Sequence, residues 1–377
     1  MEPFIRLFPI PKESFFLLGP RGTGKTTFLR QRLPIAQYLD FLDPETFRQY
    51  KSRPEILREL VDGNPITKIF VLDEIQKIPE VLSVIHSLIE EKKGIQFILT
   101  GSSARKLKQS GVDLLAGRAL YFKMHPFTAS ELGDAFNLEK ALEIGLLPLV
   151  YFKDDPKEVL RSYLGLYIKE EILAEGLIRN IGNFSRFLEA ASFSHGSILN
   201  TSNIARECGV ERKTVEGYLS VLEDLLLSFT LPVFSKKAKR ELVAHRKFYF
   251  FDAGVFSQIR PKGPLDSPQD MYGPLLEGLV AQHLRAFIDA VKKDCSLSYW
   301  RTRSGVEVDF ILYGENTFKA IEVKNSAKIN DADLRGLKSF QEDYPMCETI
   351  FLYRGKERLK KGEILCMPVE EFLRELK

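Results

Sequence analysis

Phe15-Phe16-Leu17-Leu18-Gly19-Pro20-Arg21-Gly22-Thr23-Gly24-Lys25-Thr26-Thr27-Phe28-Leu29 decides how the first third of the chain is read. Four apolar residues predict a buried strand, the glycines a tight turn, and Thr26 onward a helix. Residues 19–26 fit GxxxxGK[ST] in full, in the strand–turn–helix context that gives the pattern its meaning. Glycine lets backbone N–H groups converge on phosphate oxygens, and the first turn of a helix adds partial positive charge. Gly19, Pro20, Arg21, Gly22, Thr23, Gly24, Lys25, Thr26 and Thr27 are therefore the expected ATP-binding stretch. Lys25 would reach the β- and γ-phosphates and the Thr26 hydroxyl would ligate Mg2+. A mere glycine turn before a helix gives no reason for lysine and threonine at those places.

Working outward, Ile69-Phe70-Val71-Leu72-Asp73-Glu74 ends an apolar strand on two carboxylates, where an unpaired charge is costly. Asp73 is the expected holder of hydrated Mg2+ and Glu74 the expected general base; the bland reading is a strand ending in a polar turn. Short apolar runs at residues 14–18, 36–42, 68–73, 96–100 and 119–124 alternate with helical patterns after Gly24 and at 54–62 and 79–92. That alternation predicts a parallel sheet flanked by helices.

Residues 10–125 resemble the AAA+ ATPases, on the phosphate loop, Leu72-Asp73-Glu74 and Phe97-Ile98-Leu99-Thr100-Gly101-Ser102-Ser103-Ala104-Arg105. The resemblance implies a hydroxyl sensor of nucleotide state at Thr100, with Ser102 as a substitute. It also implies an arginine finger, for which Gly117-Arg118 is a candidate beside a plain capping or bridging role, and it raises a homo-oligomer. Nearly the whole chain is similar to a prokaryotic AAA+ family with winged-helix and C-terminal PD-(D/E)XK nuclease-like domains.

At 377 residues the chain exceeds one ordinary core, and roughly 100–200 residues per domain gives two or three. Its 44% hydrophobic and 28% charged residues are those of a soluble globular protein. The net charge of +3, from 54 basic against 51 acidic residues, diagnoses no nucleic-acid partner unless the charges cluster. Cys208, Cys295, Cys347 and Cys366 are too scattered for a zinc site or a disulfide framework. No apolar run approaches membrane-spanning length and residues 1–13 do not read as a signal peptide, so a cytoplasmic protein without membrane partners is expected.

The expected organisation is an ATPase core at 1–127, a helical lid or connector at 128–182, a winged helix at 183–260 and a nuclease-like domain at 261–377. In the third segment Gly209 separates two helical patterns, with Ala205, Val210, Val215 and Leu219 spaced as in a helix-turn-helix. The runs at 229–234 and 247–251 would form the wing. Arg212, Lys213, Lys236, Lys237, Lys239, Arg240, Arg246 and Lys247 would place positive charge on the second helix and the wing, where DNA phosphates would lie. A protein interface or a solvated hairpin tip fits the same residues. Residues 261–274 read as a Gly/Pro-rich linker.

In the last segment Glu322 and Lys324 lie two apart on a strand and share a face, Asp309 can meet them from the adjacent strand, and Glu277 can come from the preceding helix. This is similar to the PD-(D/E)XK nucleases, which implies Asp309 and Glu322 as ligands of Mg2+, Lys324 as the catalytic lysine and Glu277 as the helical acid. Glu307 shares the face of Asp309 as an extra ligand or a solvated neighbour. Glu-x-Lys alone also describes an exposed ion pair on an edge strand. What distinguishes this one is that Asp309 and Glu322 sit among apolar residues, where a bare carboxylate needs a cation. The expected function is ATP hydrolysis that controls a winged-helix and Mg-dependent nuclease-like module acting on DNA. The alternative is a nucleotide-dependent switch or scaffold with a catalytically silent nuclease-like domain.

Overall fold

The computed structural model describes residues 5–102, 115–168, 173, 180–235, 245–264, 266–291 and 294–377. The chain forms two compact units. One runs to His125 and takes in Asp224–Leu226; the other comprises Pro126–Glu223 and Leu227–Lys377.

The first unit is α/β. Strands β1 (Phe15–Leu18), β2 (Gln37–Asp40), β3 (Ile69–Asp73), β4 (Gln96–Gly101) and β5 (Leu120–Lys123) form a five-stranded sheet in the order β2-β3-β4-β1-β5. Every pairing is parallel. Helix α1 (Lys25–Arg32) follows β1, α2 (Pro44–Ser52) and α3 (Ile56–Gly63) follow β2, and α4 (Val81–Glu90) follows β3. The all-apolar strands are explained by cover on both faces. Phe15 and Leu17 pack with Phe28, Leu29, Val71 and Ile98. The alternate residues Phe16 and Leu18 pack with Leu57, Val61, Leu72, Ile85 and Leu99 on the other side. Burying each such side chain contributes about 1.5–3 kcal/mol, so the pleat of β1 alone anchors both layers. The five expected strands all occur; α2 was not anticipated, although Asp43 caps it by accepting from Thr46 N at 2.8 Å and Pro44 occupies its first turn.

The second unit begins with short helices, α5 (Ala129–Leu132), α6 (Leu138–Ile144), α7 (Pro148–Tyr151) and α8 (Pro156–Ser162). Residues 169–172 and 174–179 of the expected connector lie outside the described residues. Then come α9 (Ile181–Ser192), β6 (Ser197–Ile198), α10 (Thr201–Cys208), α11 (Arg212–Asp224), β7 (Ser228–Leu231) and β8 (Lys247–Phe250). The strands make an antiparallel sheet in the order β6-β8-β7. Gly209 ends α10 with φ 65°, the left-handed turn that separates it from α11.

Helices α12 (Ala253–Ile259) and α13 (Pro268–Ala290) lead into a six-stranded sheet of order β13-β14-β12-β11-β10-β9. Its strands are β9 (Cys295–Arg301), β10 (Glu307–Gly314), β11 (Thr317–Val323), β12 (Glu348–Tyr353), β13 (Leu359–Lys361) and β14 (Ile364–Pro368), with α14 (Arg335–Asp343) before β12 and α15 (Val369–Glu375) last. The linker expected at 261–274 is shortened, because α13 already starts at Pro268. Ser267 caps it reciprocally with Asp270 and Pro268 fits the first turn. Pro274 sits inside the helix, where its ring removes one backbone bond. Phe234, beyond β7, inserts among Trp300, Phe340 and Tyr344 of this sheet's core. Its backbone continues the contact, with Phe234 N donating to Tyr299 O at 2.6 Å.

Candidate functional site

The nucleotide-type site lies in the first unit, where β1 hands over to α1. Gly22 and Gly24 have φ of 83° and 85°, the left-handed backbone that lets the loop curl around its own N–H groups. A Cβ on Gly19 would stand 2.4 Å from the carbonyl oxygen of Met124, so the loop can pass β5 only as glycine. Thr23 Oγ1 donates to Pro20 O at 2.8 Å and closes the turn. The buried Lys25 ammonium donates to Gly19 O at 2.7 Å and Pro20 O at 3.2 Å. Arg21 and Thr27 face outward.

Asp73, at the end of β3, gathers hydroxyls from two elements. Thr26 Oγ1 donates to its Oδ2 at 2.5 Å, and Thr100 Oγ1, at the end of β4, donates to its Oδ1. The parallel register makes this meeting: β1 pairs β4 through Leu17–Thr100, and β3 pairs β4 one place before Asp73. An acid flanked by hydroxyls is a set of hard oxygen donors that fits Mg2+, an ion held by one or two carboxylates together with water and phosphate.

Glu74 follows with φ 60° and ψ 46°, a left-handed conformation that costs a non-glycine residue about 1–3 kcal/mol and collects at functional sites. Its carboxylate accepts a bond from Gln76 Nε2, which also donates to Ser102 Oγ at 3.1 Å. Gln76 is 7% exposed and was not singled out from the sequence. The signal was available, since an amide two residues past a strand-terminal acid is placed to hold it. Ser103, Ala104 and Arg105 lie outside the described residues. Arg118 pairs with Glu90 on the surface.

The second constellation lies within the second unit, and the structure brings together most of the residues expected there around one that was expected elsewhere. Lys247 is 1% exposed, not part of a basic wing surface. The reason is its position at the head of β8, whose four residues are all buried. Its ammonium meets Glu277 Oε1 at 2.9 Å, Asp309 Oδ1 at 3.2 Å and Glu307 Oε1. Tyr249, two residues on along β8, donates to Glu277 Oε1 at 2.6 Å. Asp309 stands where the β9–β10 register shifts between Val308 and Ile311, and its Oδ2 accepts from Val323 N at 2.9 Å. Glu307 also pairs with Arg301 at 3.1 Å. Glu322 and Lys324 pair with each other at 2.8 Å, and Glu322 Oε2 is buried without a partner among the described residues.

Burial, with the charge of Asp309 added, pushes the Glu277 carboxyl up to about 7 and Glu322 up to about 8. Burial works against the Lys247 charge, yet the surrounding Glu277, Asp309 and Glu307 raise it well above the ordinary lysine range. The donor set does not fit a divalent ion. Among the described residues no group of three or more His, Cys, Asp or Glu is arranged to hold a metal. A dication about 4 Å from an ammonium is repelled by roughly 8 kcal/mol at an effective dielectric constant of about 20. Asp309 instead faces the Lys247 ammonium, and Glu322 that of Lys324. A cleft of about 370 Å³ lined by Glu307, Glu322, Lys324 and Arg335 opens beside them.

Of the remaining basic residues, Arg212 is exposed and paired with Glu216 at 2.8 Å, and Arg246 Nη1 lies 3.4 Å from Thr230 Oγ1. Lys236, Lys237, Lys239 and Arg240 lie outside the described residues. None of the four cysteines forms a disulfide among the described residues, and no helix among them is long and apolar enough to cross a membrane.

Residues 11–133 match a family described as an AAA domain. Residues 135–266 and 272–372 match two families, each described as a domain of unknown function. An uncharacterized protein of Haemophilus influenzae is 21% identical over 86% of this chain and 86% of its own length. An uncharacterized protein of Methanocaldococcus jannaschii is 27% identical over 96% of this chain and 85% of its own. Among solved structures, domain III of the Thermotoga maritima replication initiation protein DnaA is 17% identical, covers 43% of this chain and 78% of its own, and has a TM-score of 0.26. AMPPCP-bound DnaA from Aquifex aeolicus is 15% identical, with coverages of 58% and 82% and a TM-score of 0.26. The assignment of the first unit rests on its phosphate loop, its strand order and the AAA-domain match.

Proposed function

We propose that the chain binds ATP at the loop of residues 19–27 and hydrolyses it. The observation that carries this reading is the junction of Thr26, Asp73 and Thr100 beside the Lys25 loop. In the proposed reaction the phosphates replace the Gly19 and Pro20 carbonyls as partners of Lys25. Thr26 and Asp73 would hold Mg2+, which supplies charge neutralisation between the phosphates. Glu74 takes a proton from water, the water oxygen bonds to the γ-phosphorus, and the bond to the ADP oxygen breaks. Thr100, with Ser102 near Glu74 through Gln76, reports whether the γ-phosphate is present.

The second unit is the proposed responder, with residues 128–182 a connector, 183–260 a winged helix and 261–377 nuclease-like. The order helix, strand, two helices and two strands around β6-β8-β7 supports the winged helix. Hairpin-linked β9, β10 and β11 followed by α14 and parallel β12 support the nuclease-like topology. DNA is the proposed partner through Arg212, Lys213 and Arg246, and homo-oligomers would free Arg118 from Glu90 for use as a finger. The lysine among the acids favours a second reading of the C-terminal site, a domain that carries the nuclease fold without cutting.

Phosphate release by wild type, Glu74→Gln and Lys25→Ala tests the ATPase. Turnover should fall by roughly 100-fold or more in Glu74→Gln, the scale of a lost general base. Equal turnover by all three would remove the site.

A further inference from the structure

Glu277, Glu307, Asp309 and Glu322, of which the nuclease resemblance implies Asp309 and Glu322 as metal ligands, each face a lysine ammonium. The Lys247 ammonium donates to Glu277 Oε1 and Asp309 Oδ1 and is ion-paired with Glu307 Oε1. The fourth acid, Glu322, has Lys324. Lys247 does not reach in from a loose tail. It is the first residue of β8, and the polypeptide around it is tied to the C-terminal sheet at two further places. Phe234 is embedded in that sheet's aromatic core, with its ring centroid 5.4 Å from that of Tyr344. Tyr299 of β9 takes a backbone bond from Phe234, donates its own N–H to Pro232 O at 3.0 Å and extends its hydroxyl to His245 O.

We propose that Lys247 is the resident cation of this carboxylate cluster, standing in place of the divalent ion that the nuclease resemblance implies, and that the cluster is a lock fastening β8 to the C-terminal sheet. This deepens the second reading above and is independent of the ATPase. The acids keep their positions because a buried carboxylate without a cation is costly, so the same residues serve a structural charge pair as would serve a metal. The lock has the geometry of an internal ion cluster: one ammonium shared by three carboxylates, a phenol completing Glu277, and a backbone N–H completing Asp309.

The test uses the full chain carrying Asp73→Ala, which removes the proposed ion site of the first unit. Mn2+ binding is followed by electron paramagnetic resonance, and cleavage of supercoiled and single-stranded DNA is followed with the same ion. The expected result is that this parent and its Asp309→Asn derivative bind Mn2+ identically and that neither nicks DNA above a no-protein control. A Mn2+ site present in the parent and lost in Asp309→Asn overturns the proposal, as does nicking that needs Asp309. A third variant, Lys247→Met in the same background, exposes the acids to an external cation. Mn2+ should then raise its melting temperature by several degrees while leaving that of the parent unmoved. A Lys247→Met chain as stable as the parent and indifferent to Mn2+ also overturns the lock. If that variant does not fold, the parent and Asp309→Asn measurements decide alone. Loss of ATP turnover with any of these results bears on the first unit only.

Discussion

Replacing Gln76 with leucine separates the positioning of Glu74 from the binding of nucleotide. Gln76 touches Glu74 and Ser102 through one amide nitrogen, while its Oε1 is buried without a hydrogen-bond partner among the described residues. Leucine of similar size deletes a bond to a charged acceptor, worth about 1.5–3 kcal/mol when it fixes the acid for the reaction. At 1.36 kcal/mol per factor of ten, kcat for ATP should fall roughly 10- to 150-fold. KM should hold, since Gln76 makes no bond to residues 19–27 among those described. The melting temperature should hold as well, because an unsatisfied buried oxygen is removed together with the bond. Steady-state phosphate release across ATP concentrations, with a thermal melt of each protein, reads all three. Wild-type kcat in Gln76→Leu, or a rise in KM at constant kcat, would refute the reasoning.

Three further outcomes follow from packing and burial. Gly19→Ala should weaken ATP binding and lower stability by about 1–3 kcal/mol, since the new methyl meets the Met124 carbonyl oxygen at 2.4 Å and backbone cannot step aside; nucleotide titration and denaturant melts check it. Phe234→Ala should destabilise the second unit by about 3–5 kcal/mol, read by urea unfolding, because its ring lies buried among Trp300, Phe340 and Tyr344. His283 is held neutral, its pKa lowered by burial to about 4. Its Nε2 accepts from Ala129 N at 2.9 Å while Nδ1 faces Leu279 O at 2.8 Å. A depressed folded pKa means stability that is whole above about pH 6.5 and lost as pH falls toward 4, about 1 kcal/mol of it by pH 5.5. Urea midpoints at pH 7 and 5.5 should therefore converge more closely in His283→Gln than in wild type. Asp252, raised by burial to about 6, works in the opposite sense in both proteins and cancels in the comparison.

The first unit could be read from sequence because each of its signals is local. Four apolar residues, a glycine-rich turn and a strand ending in Asp73-Glu74 are contiguous, and parallel pairing then brings Thr26, Asp73 and Thr100 together without further information. Gln76 was missed although its bond to Glu74 spans only two positions; its second bond, to Ser102, spans 26 and left no local trace. Lys247 was misplaced for a related reason. Its neighbours Arg246 and the lysines before it made it look like one more charge on a basic tip, whereas its place in the wholly buried β8 and three acids from 30 to 62 positions distant enclose it. The reasoning that Asp309 and Glu322 need a cation was sound physics, but charge balance alone does not say whether the cation is a metal or an ammonium. The early start of α13 was hidden by Pro274, which suits a linker as readily as a helix that tolerates one missing bond.

The central claim is that Lys25 and its loop hold a nucleoside triphosphate. Titration calorimetry of ATP with Mg2+ into wild type and into Lys25→Ala measures it without reference to turnover, DNA or the second unit. Saturable one-site binding to wild type, weakened at least 100-fold in Lys25→Ala, is the predicted result. Equal heats from the two proteins, or no binding to wild type, would contradict it.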